Sequence, residues 1–83
     1  TSINKKIQGL IYLNLGRLND ALSIFYKALN LLNDIPQTKQ ILEYIVFINN
    51  PIAMIYRNQG DFNNAIKIVK NNILFVLWSF NGL

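Results

Sequence analysis

The sequence NLGRLNDAL (residues 14–22) joins the end of one helix to the start of another. Gly16 can adopt the left-handed backbone conformation that commonly ends a helix, and Asn19 or Asp20 can cap the helix that follows. A second copy, NQGDFNNAI, occupies residues 58–66. Two copies of one helix-turn-helix corner in a chain of 83 residues indicate a repeat architecture.

Apolar residues at helical spacing predict four helices, two on either side of residues 34–36. In the second helix the expected buried stripe is Ala21, Leu22, Phe25, Ala28, Leu29 and Leu32. In the fourth helix it is Ala65, Ile66, Val69, Ile73, Val76 and Leu77. Gly9 lies within the first helix, where glycine costs about 1 kcal/mol relative to alanine. We therefore expect another helix to approach Gly9 closely.

Two prolines bear on the third helix. Asp34 is the expected cap of this helix, with Pro36 in its first turn. Pro51 lies inside the helical pattern, where proline removes a backbone donor and clashes with the preceding turn. Either a kinked continuous helix or a short non-helical joint at residues 49–51 would accommodate Pro51. We favour the kinked continuous helix.

The composition argues against several kinds of site. The chain has no cysteine and no histidine, so disulfides, thiolate metal sites and histidine bases are absent, and we expect neither a cofactor nor a metal. The four acids are dispersed, and no pair is expected to converge on a catalytic site, so an enzyme is not predicted: Asp20, Asp34, Glu43 and Asp61. The net charge of +4 favours an anionic partner.

The two halves of the chain align at a separation of 44 residues, from Gly16 to Gly60. This pattern of small, aromatic and glycine residues resembles the tetratricopeptide repeat family. In the first unit the resemblance is carried by Gly9, Tyr12, Gly16, Leu18, Ala21, Phe25 and Ala28. In the second unit it is carried by Ala53, Tyr56, Gly60, Phe62, Ala65 and Val69.

The resemblance implies an all-α solenoid of two antiparallel helical hairpins. Unit one would cover about residues 2–35 and unit two about residues 36–80 of one repeat domain, 1–83, which we expect to be a fragment of a longer array. The family period is about 34 residues, so this chain is a long-period variant with about ten additional residues. They fall between Leu32 and Asn50, which predicts longer helices at that junction.

Three positions depart from the family pattern. Lys5 and Asn49 stand where the first helix of each unit usually has tryptophan. Asn72 stands where the second small residue of the last helix is expected.

The resemblance also implies a function, the binding of a partner protein's peptide or helix on a concave face lined by the first helix of each hairpin. The partner would have some acidic character, and the chain would act as a scaffold in an assembly factor, a co-chaperone or a regulator. The residues expected on this face are Lys6, Leu10, Leu13, Asn14, Asn50, Met54, Arg57 and Asn58.

The alternative function is that of an RNA-binding helical-hairpin repeat of the pentatricopeptide type. Residues 16–22 and the excess of basic over acidic residues would also fit that family. Only Lys6 and Arg57 would be charged on the expected face, which argues against nucleic acid.

The apolar run at residues 73–80 is shorter than the roughly 20 residues of a membrane span, which argues against a membrane role. It is instead the expected face for a following repeat or for self-association, through Ile73, Val76, Leu77 and Phe80.

The predicted corner can be tested at Gly16. Replacement of Gly16 by Val should lower the free energy of unfolding by about 2 kcal/mol, because a β-branched residue resists positive φ. Thermal and urea unfolding measure this change. An unchanged melting temperature would contradict a left-handed residue at this position.

Overall fold

The computed structural model describes residues 1–80, except for the side chains of Ser2 and residues 78–80. Four helices and no strand occur in this part of the chain, which confirms the all-α prediction. They are α1 (Ser2–Asn14), α2 (Leu18–Asn33), α3 (Lys39–Asn58) and α4 (Phe62–Phe80). The chain divides between Ile35 and Pro36 into two compact units. Each unit is a hairpin, of α1 and α2 in the first and of α3 and α4 in the second.

The two hairpin corners have the same hydrogen bonds. Gly16 has φ +75° and Gly60 has φ +79°. In the first corner the Gly16 amide donates to the Leu13 carbonyl at 3.1 Å, and the Arg17 amide donates to the Tyr12 carbonyl at 2.9 Å. This is the Schellman pattern, and the bonds that end α3 at Gly60 repeat it. No atom lies within 4 Å of a Cβ built on either glycine, so the constraint here is conformational and not one of space.

The predicted cap of α2 is wrong. This helix begins at Leu18, before Asn19 and Asp20, and its N-cap residue Arg17 makes no side-chain capping bond. Asp20 instead lies in the first turn and accepts a hydrogen bond from Arg17 Nε at 2.7 Å. An acid in the first turn stabilises a helix through the macrodipole. In the second unit Asp61 does cap, because its Oδ1 accepts from the Asn64 amide at 3.3 Å.

The predicted start of α3 is also wrong. Asp34 is the C-cap of α2, and Pro36 lies in the connection between the helices. The cap of α3 is Thr38, whose side chain accepts from the Ile41 amide at 3.2 Å. From there α3 runs without a break through Pro51, so the non-helical joint does not occur.

Between Leu32 and Asn50, where the additional residues were expected, the chain forms the end of α2, the connection at residues 34–38 and the first half of α3. α3 has 20 residues, whereas α1 has 13. α4 has 19 residues and α2 has 16. The period of 44 residues, from Gly16 to Gly60, is therefore made up of α2, this connection and α3.

A close contact between Gly9 and Phe25 holds the first hairpin together. A Cβ built on Gly9 would lie 2.5 Å from Phe25 Cε1 and 2.7 Å from Cδ1, so the ring occupies the space of the absent side chain. Phe25 is fully buried, and so are Ala21 and Ala28 on the same side of α2. This confirms the close helix approach that a mid-helix glycine predicted.

The predicted buried stripe of α4 is largely wrong. Only Ala65 of its six residues is buried, and the other five are between 44% and 53% exposed. The residues that line the inward side of α4 are buried or half-buried and share only Ala65 with the predicted stripe: Ala65, Ile68, Asn72 and Phe75. The predicted stripe lies beside this face, because the helix is apolar on several sides and its periodicity could not select one.

A network of three asparagines joins α3 to α4. Asn49 and Asn72 are both buried, at 8% exposure. Asn49 Nδ2 donates to Asn72 Oδ1 at 3.2 Å, and Asn72 Nδ2 donates to Asn50 Oδ1 at 2.9 Å. Asn49 and Asn72 are two of the three departures from the family pattern. The structure shows that these two departures are bonded to each other.

The Gly9 contact predicts the effect of adding one methyl group. Gly9→Ala should lower the free energy of unfolding by about 1–3 kcal/mol, because overpacking against the Phe25 ring outweighs the gain of about 1 kcal/mol in helix propensity. Urea unfolding measures the change. Gly9→Ala combined with Phe25→Leu should recover part of the loss. A simple gain in stability for Gly9→Ala would contradict the close contact.

The asparagine network predicts energetic coupling between α3 and α4. Asn49→Ala and Asn72→Ala should each cost about 1–3 kcal/mol, because the first leaves the buried Asn72 Oδ1 without its donor and the second leaves Asn49 Nδ2 without its acceptor. The double variant should cost less than the sum, with a coupling of about 1 kcal/mol in a double-mutant cycle. Asn71→Ala is the matched control, since Asn71 is exposed on the same helix. Additive effects at Asn49 and Asn72 would contradict a net contribution from this hydrogen bond.

Candidate functional site

Four polar and apolar side chains form an exposed stripe along α3, which we call the α3 stripe. Its members are Asn50, Met54, Arg57 and Asn58, and all four are exposed. Their spacing of four, three and one residues places them on one side of the helix. The stripe presents amides, one cation and one thioether, and no acid.

The equivalent positions on α1 form the α1 stripe. They lie 44 residues earlier and are Lys6, Leu10, Leu13 and Asn14. Leu10 and Asn14 are exposed, whereas Lys6 and Leu13 are half-buried. Each unit thus carries, on its own first helix, the four residues predicted for a binding face.

Two large apolar residues extend these stripes and were missed from the sequence. Phe47 is 58% exposed and lies three residues before Asn50, and Ile3 is 61% exposed and lies three residues before Lys6. The internal alignment places Ile3 on Phe47, and that equivalence was the signal available.

Asn50 connects the α3 stripe to the interior. Its Oδ1 accepts the hydrogen bond from Asn72 Nδ2, so a buried residue of α4 restrains an exposed residue of α3. The Asn50 amide group is therefore restrained on the exposed side of α3. Restraint before binding reduces the side-chain entropy that binding must remove.

Two cavities adjoin the second hairpin. The larger has a volume of about 410 Å³ and lies between the first half of α3 and the second half of α4. Its lining is Lys39, Leu42, Glu43, Val46, Phe47, Phe75 and Val76. The smaller, about 280 Å³, is a shallow groove lined by Arg57, Phe62, Ala65, Ile66, Val69 and Lys70. Arg57 therefore contributes both to the α3 stripe and to this groove.

The residues predicted for self-association lie on the outer part of α4. Ile73 and Leu77 are each 53% exposed, and Val76 is 44% exposed. The side chain of Phe80, the fourth predicted residue, is outside the described residues. Their use as an interface stays a prediction.

The described residues contain no group of three or more histidine, cysteine or acidic side chains that could hold a metal ion. Two acids bond at helix starts, Asp20 with Arg17 and Asp61 with Asn64. Among the helices described, none combines the length and the apolar character required to cross a membrane.

Comparison with known proteins gives one match. The family model described as tetratricopeptide repeat matches residues 7–31 and residues 49–70. No curated protein and no solved structure matches the chain significantly. The first matched segment contains most of α1 and α2 with the Gly16 corner, and the second contains parts of α3 and α4 with the Gly60 corner. Together these segments cover more than half of the 83 residues, and the chain belongs to the tetratricopeptide repeat family.

Proposed function

We propose that this chain is a non-catalytic protein-interaction module that binds a peptide or helix of a partner protein through the α1 and α3 stripes. Tetratricopeptide repeats generally mediate protein–protein interactions. The observation that carries the proposal is the recurrence of the stripe at equivalent positions of both hairpins. Such a module would serve an assembly factor, a co-chaperone or a regulator.

The charges of the stripes favour an acidic partner. Lys6 and Arg57 are the charged residues among the eight positions, and both are cations. Leu10 and Met54, at equivalent positions, are each 38% exposed and offer apolar contact beside those cations. An extended peptide with acidic and apolar side chains in alternation would match both features.

RNA is the competing ligand. The net charge of +4 is consistent with it, because cations that neutralise phosphates drive binding to nucleic acid. The membership in a family of protein-binding repeats favours the peptide. A single-stranded RNA oligonucleotide should bind weakly and without preference for sequence.

The stripes can be tested with acidic peptides that are first selected from a displayed peptide library for binding to the unaltered chain. Lys6→Glu combined with Met54→Glu should weaken these peptides by at least about tenfold, because charge repulsion and the loss of one apolar contact act together. The matched control is Lys27→Glu with Gln8→Glu, which makes the same change in net charge at exposed positions outside the stripes.

Isothermal titration calorimetry measures the affinity, and circular dichroism verifies that the variants keep their helices. Equal weakening in the control would mean that only net charge matters. Unchanged binding in the stripe variant would remove the stripes as the peptide site. Tighter binding of RNA than of any selected peptide would favour the pentatricopeptide-type alternative.

A further inference from the structure

The asparagine network runs from the interior of the second hairpin to the α3 stripe. Asn49 Nδ2 donates to Asn72 Oδ1 at 3.2 Å, and Asn72 Nδ2 donates to Asn50 Oδ1 at 2.9 Å. The first of these bonds is buried and the second is partly buried. An asparagine amide has an oxygen that accepts and an NH₂ group that donates. Each bond in the series therefore determines which end of the next amide is used.

The network determines which end of the Asn50 amide is offered to a ligand. The oxygen of Asn50 accepts from Asn72, whereas Asn50 Nδ2 has no hydrogen-bond partner among the residues that the structure describes. An asparagine on a helix surface can usually turn its amide over. Here the reversed amide would place one NH₂ group against another and lose the bond to Asn72. Asn50, an exposed residue, thus presents N–H donors on the α3 stripe.

The first unit also has a donor at this position. Lys6 lies 44 residues before Asn50, and a lysine ammonium group donates hydrogen bonds and cannot accept them. In that unit Ala28 occupies the position of the buried Asn72, so no equivalent network exists there. A lysine needs none, because it has no acceptor atom that must be turned away. The two units therefore place a donor at the same repeat position by different means.

Arg57 adds further donors to the α3 stripe. A guanidinium group has five N–H donors and no acceptor. Arg57 lies seven residues after Asn50, which separates the two by about 10 Å along the helix axis. Met54 lies between them and offers apolar contact. The stripe therefore suits a ligand that carries hydrogen-bond acceptors on both sides of an apolar group.

We propose that the asparagine network makes Asn50 a donor-only contact, which selects a carboxylate oxygen of an acidic side chain in the bound peptide. Asn50 contacts the ligand, and Asn72 is a positioning residue that acts through Asn50. This inference rests on the proposed function, because it assigns a role within the α3 stripe. It adds that one acidic side chain of the peptide is recognised by hydrogen-bond acceptance as well as by charge.

Asn50→Asp tests the two ends of the amide separately. Aspartate keeps an oxygen that accepts from Asn72 Nδ2 and replaces the outward NH₂ group with a second oxygen. The melting temperature should stay the same or rise, because a carboxylate is the stronger acceptor. The affinity for the selected acidic peptides should fall at least about tenfold, because an acceptor then faces an acceptor. Asn71→Asp, the same change at an exposed position of α4 outside both stripes, should leave the affinity within about twofold.

A pair of uncharged peptides separates hydrogen bonding from charge. Each acidic residue of a selected peptide is replaced in turn by its methyl ester, which accepts hydrogen bonds, and by norleucine, which neither accepts nor donates. At the residue that contacts Asn50, the unaltered chain should bind the ester about fivefold more tightly than the norleucine form. Asn50→Asp should bring this ratio to about one. Isothermal titration calorimetry measures both affinities.

The same ratio tests the positioning role of Asn72. Asn72→Ala should lower the ratio at least about twofold, because only a fraction of the Asn50 amides then offer the NH₂ group. The measurement is made at a temperature at which circular dichroism shows the variant to be folded. A purely structural role of Asn72 would weaken both peptides equally and leave the ratio unchanged, which would contradict the proposal.

Other outcomes would also overturn the proposal. A lower melting temperature for Asn50→Asp would mean that Asn50 does not act as the acceptor for Asn72. Equal binding of the ester and norleucine forms at every position would remove hydrogen-bond acceptance as a criterion. If Lys6→Glu with Met54→Glu weakens the peptides and Asn50→Asp does not, the proposed function stands and this role of Asn50 is wrong. If neither variant weakens them, the peptide lies elsewhere and both proposals are wrong.

Discussion

Each hairpin of this protein depends on a backbone turn that only glycine adopts without strain. At Gly16 and Gly60 the chain takes positive φ, and the two bonds that follow satisfy carbonyls at the end of the preceding helix. The next helix can then begin at once and return along the first. Because this reversal is completed within a few residues, α1 meets α2 and α3 meets α4 along most of their length.

The two hairpins use different solutions for their helix contacts, at positions that are not equivalent in the repeat. In the first hairpin a missing side chain at Gly9 admits the Phe25 ring. In the second hairpin a hydrogen bond between Asn49 and Asn72 occupies positions where the family usually has tryptophan and a small residue. Burial of polar groups costs free energy unless they are paired, so the second solution depends on both asparagines being present. The geometry of the hairpin is retained although its chemistry differs.

Local signals in the sequence predicted the helices, the corners and the family, because glycine turns and helical periodicity are set by neighbouring residues. The predictions failed where two features of the sequence favoured different structures. Asp34 and Thr38 both suit a helix cap, and only the structure shows that Thr38 is used. The inward side of α4 was assigned incorrectly because apolar residues occupy several of its sides, and because the buried Asn72 would be placed outside by its polarity. The residues of the α1 and α3 stripes followed from the family resemblance, and their use in binding stays a prediction. The exposure of Phe47 and the hydrogen bond from Asn72 to Asn50 required the structure.

The asparagine network also has a consequence for how this sequence can change over evolutionary time. A single replacement of Asn49 by the family's usual tryptophan would require more volume and leave the buried Asn72 Oδ1 without its donor. A single replacement of Asn72 by alanine would leave Asn49 Nδ2 without its acceptor. Each first step lowers stability, although the state with both positions replaced would conform to the family pattern. The present pair can therefore reach the family pattern only through single variants that are less stable. Related sequences should change at both positions together or at neither.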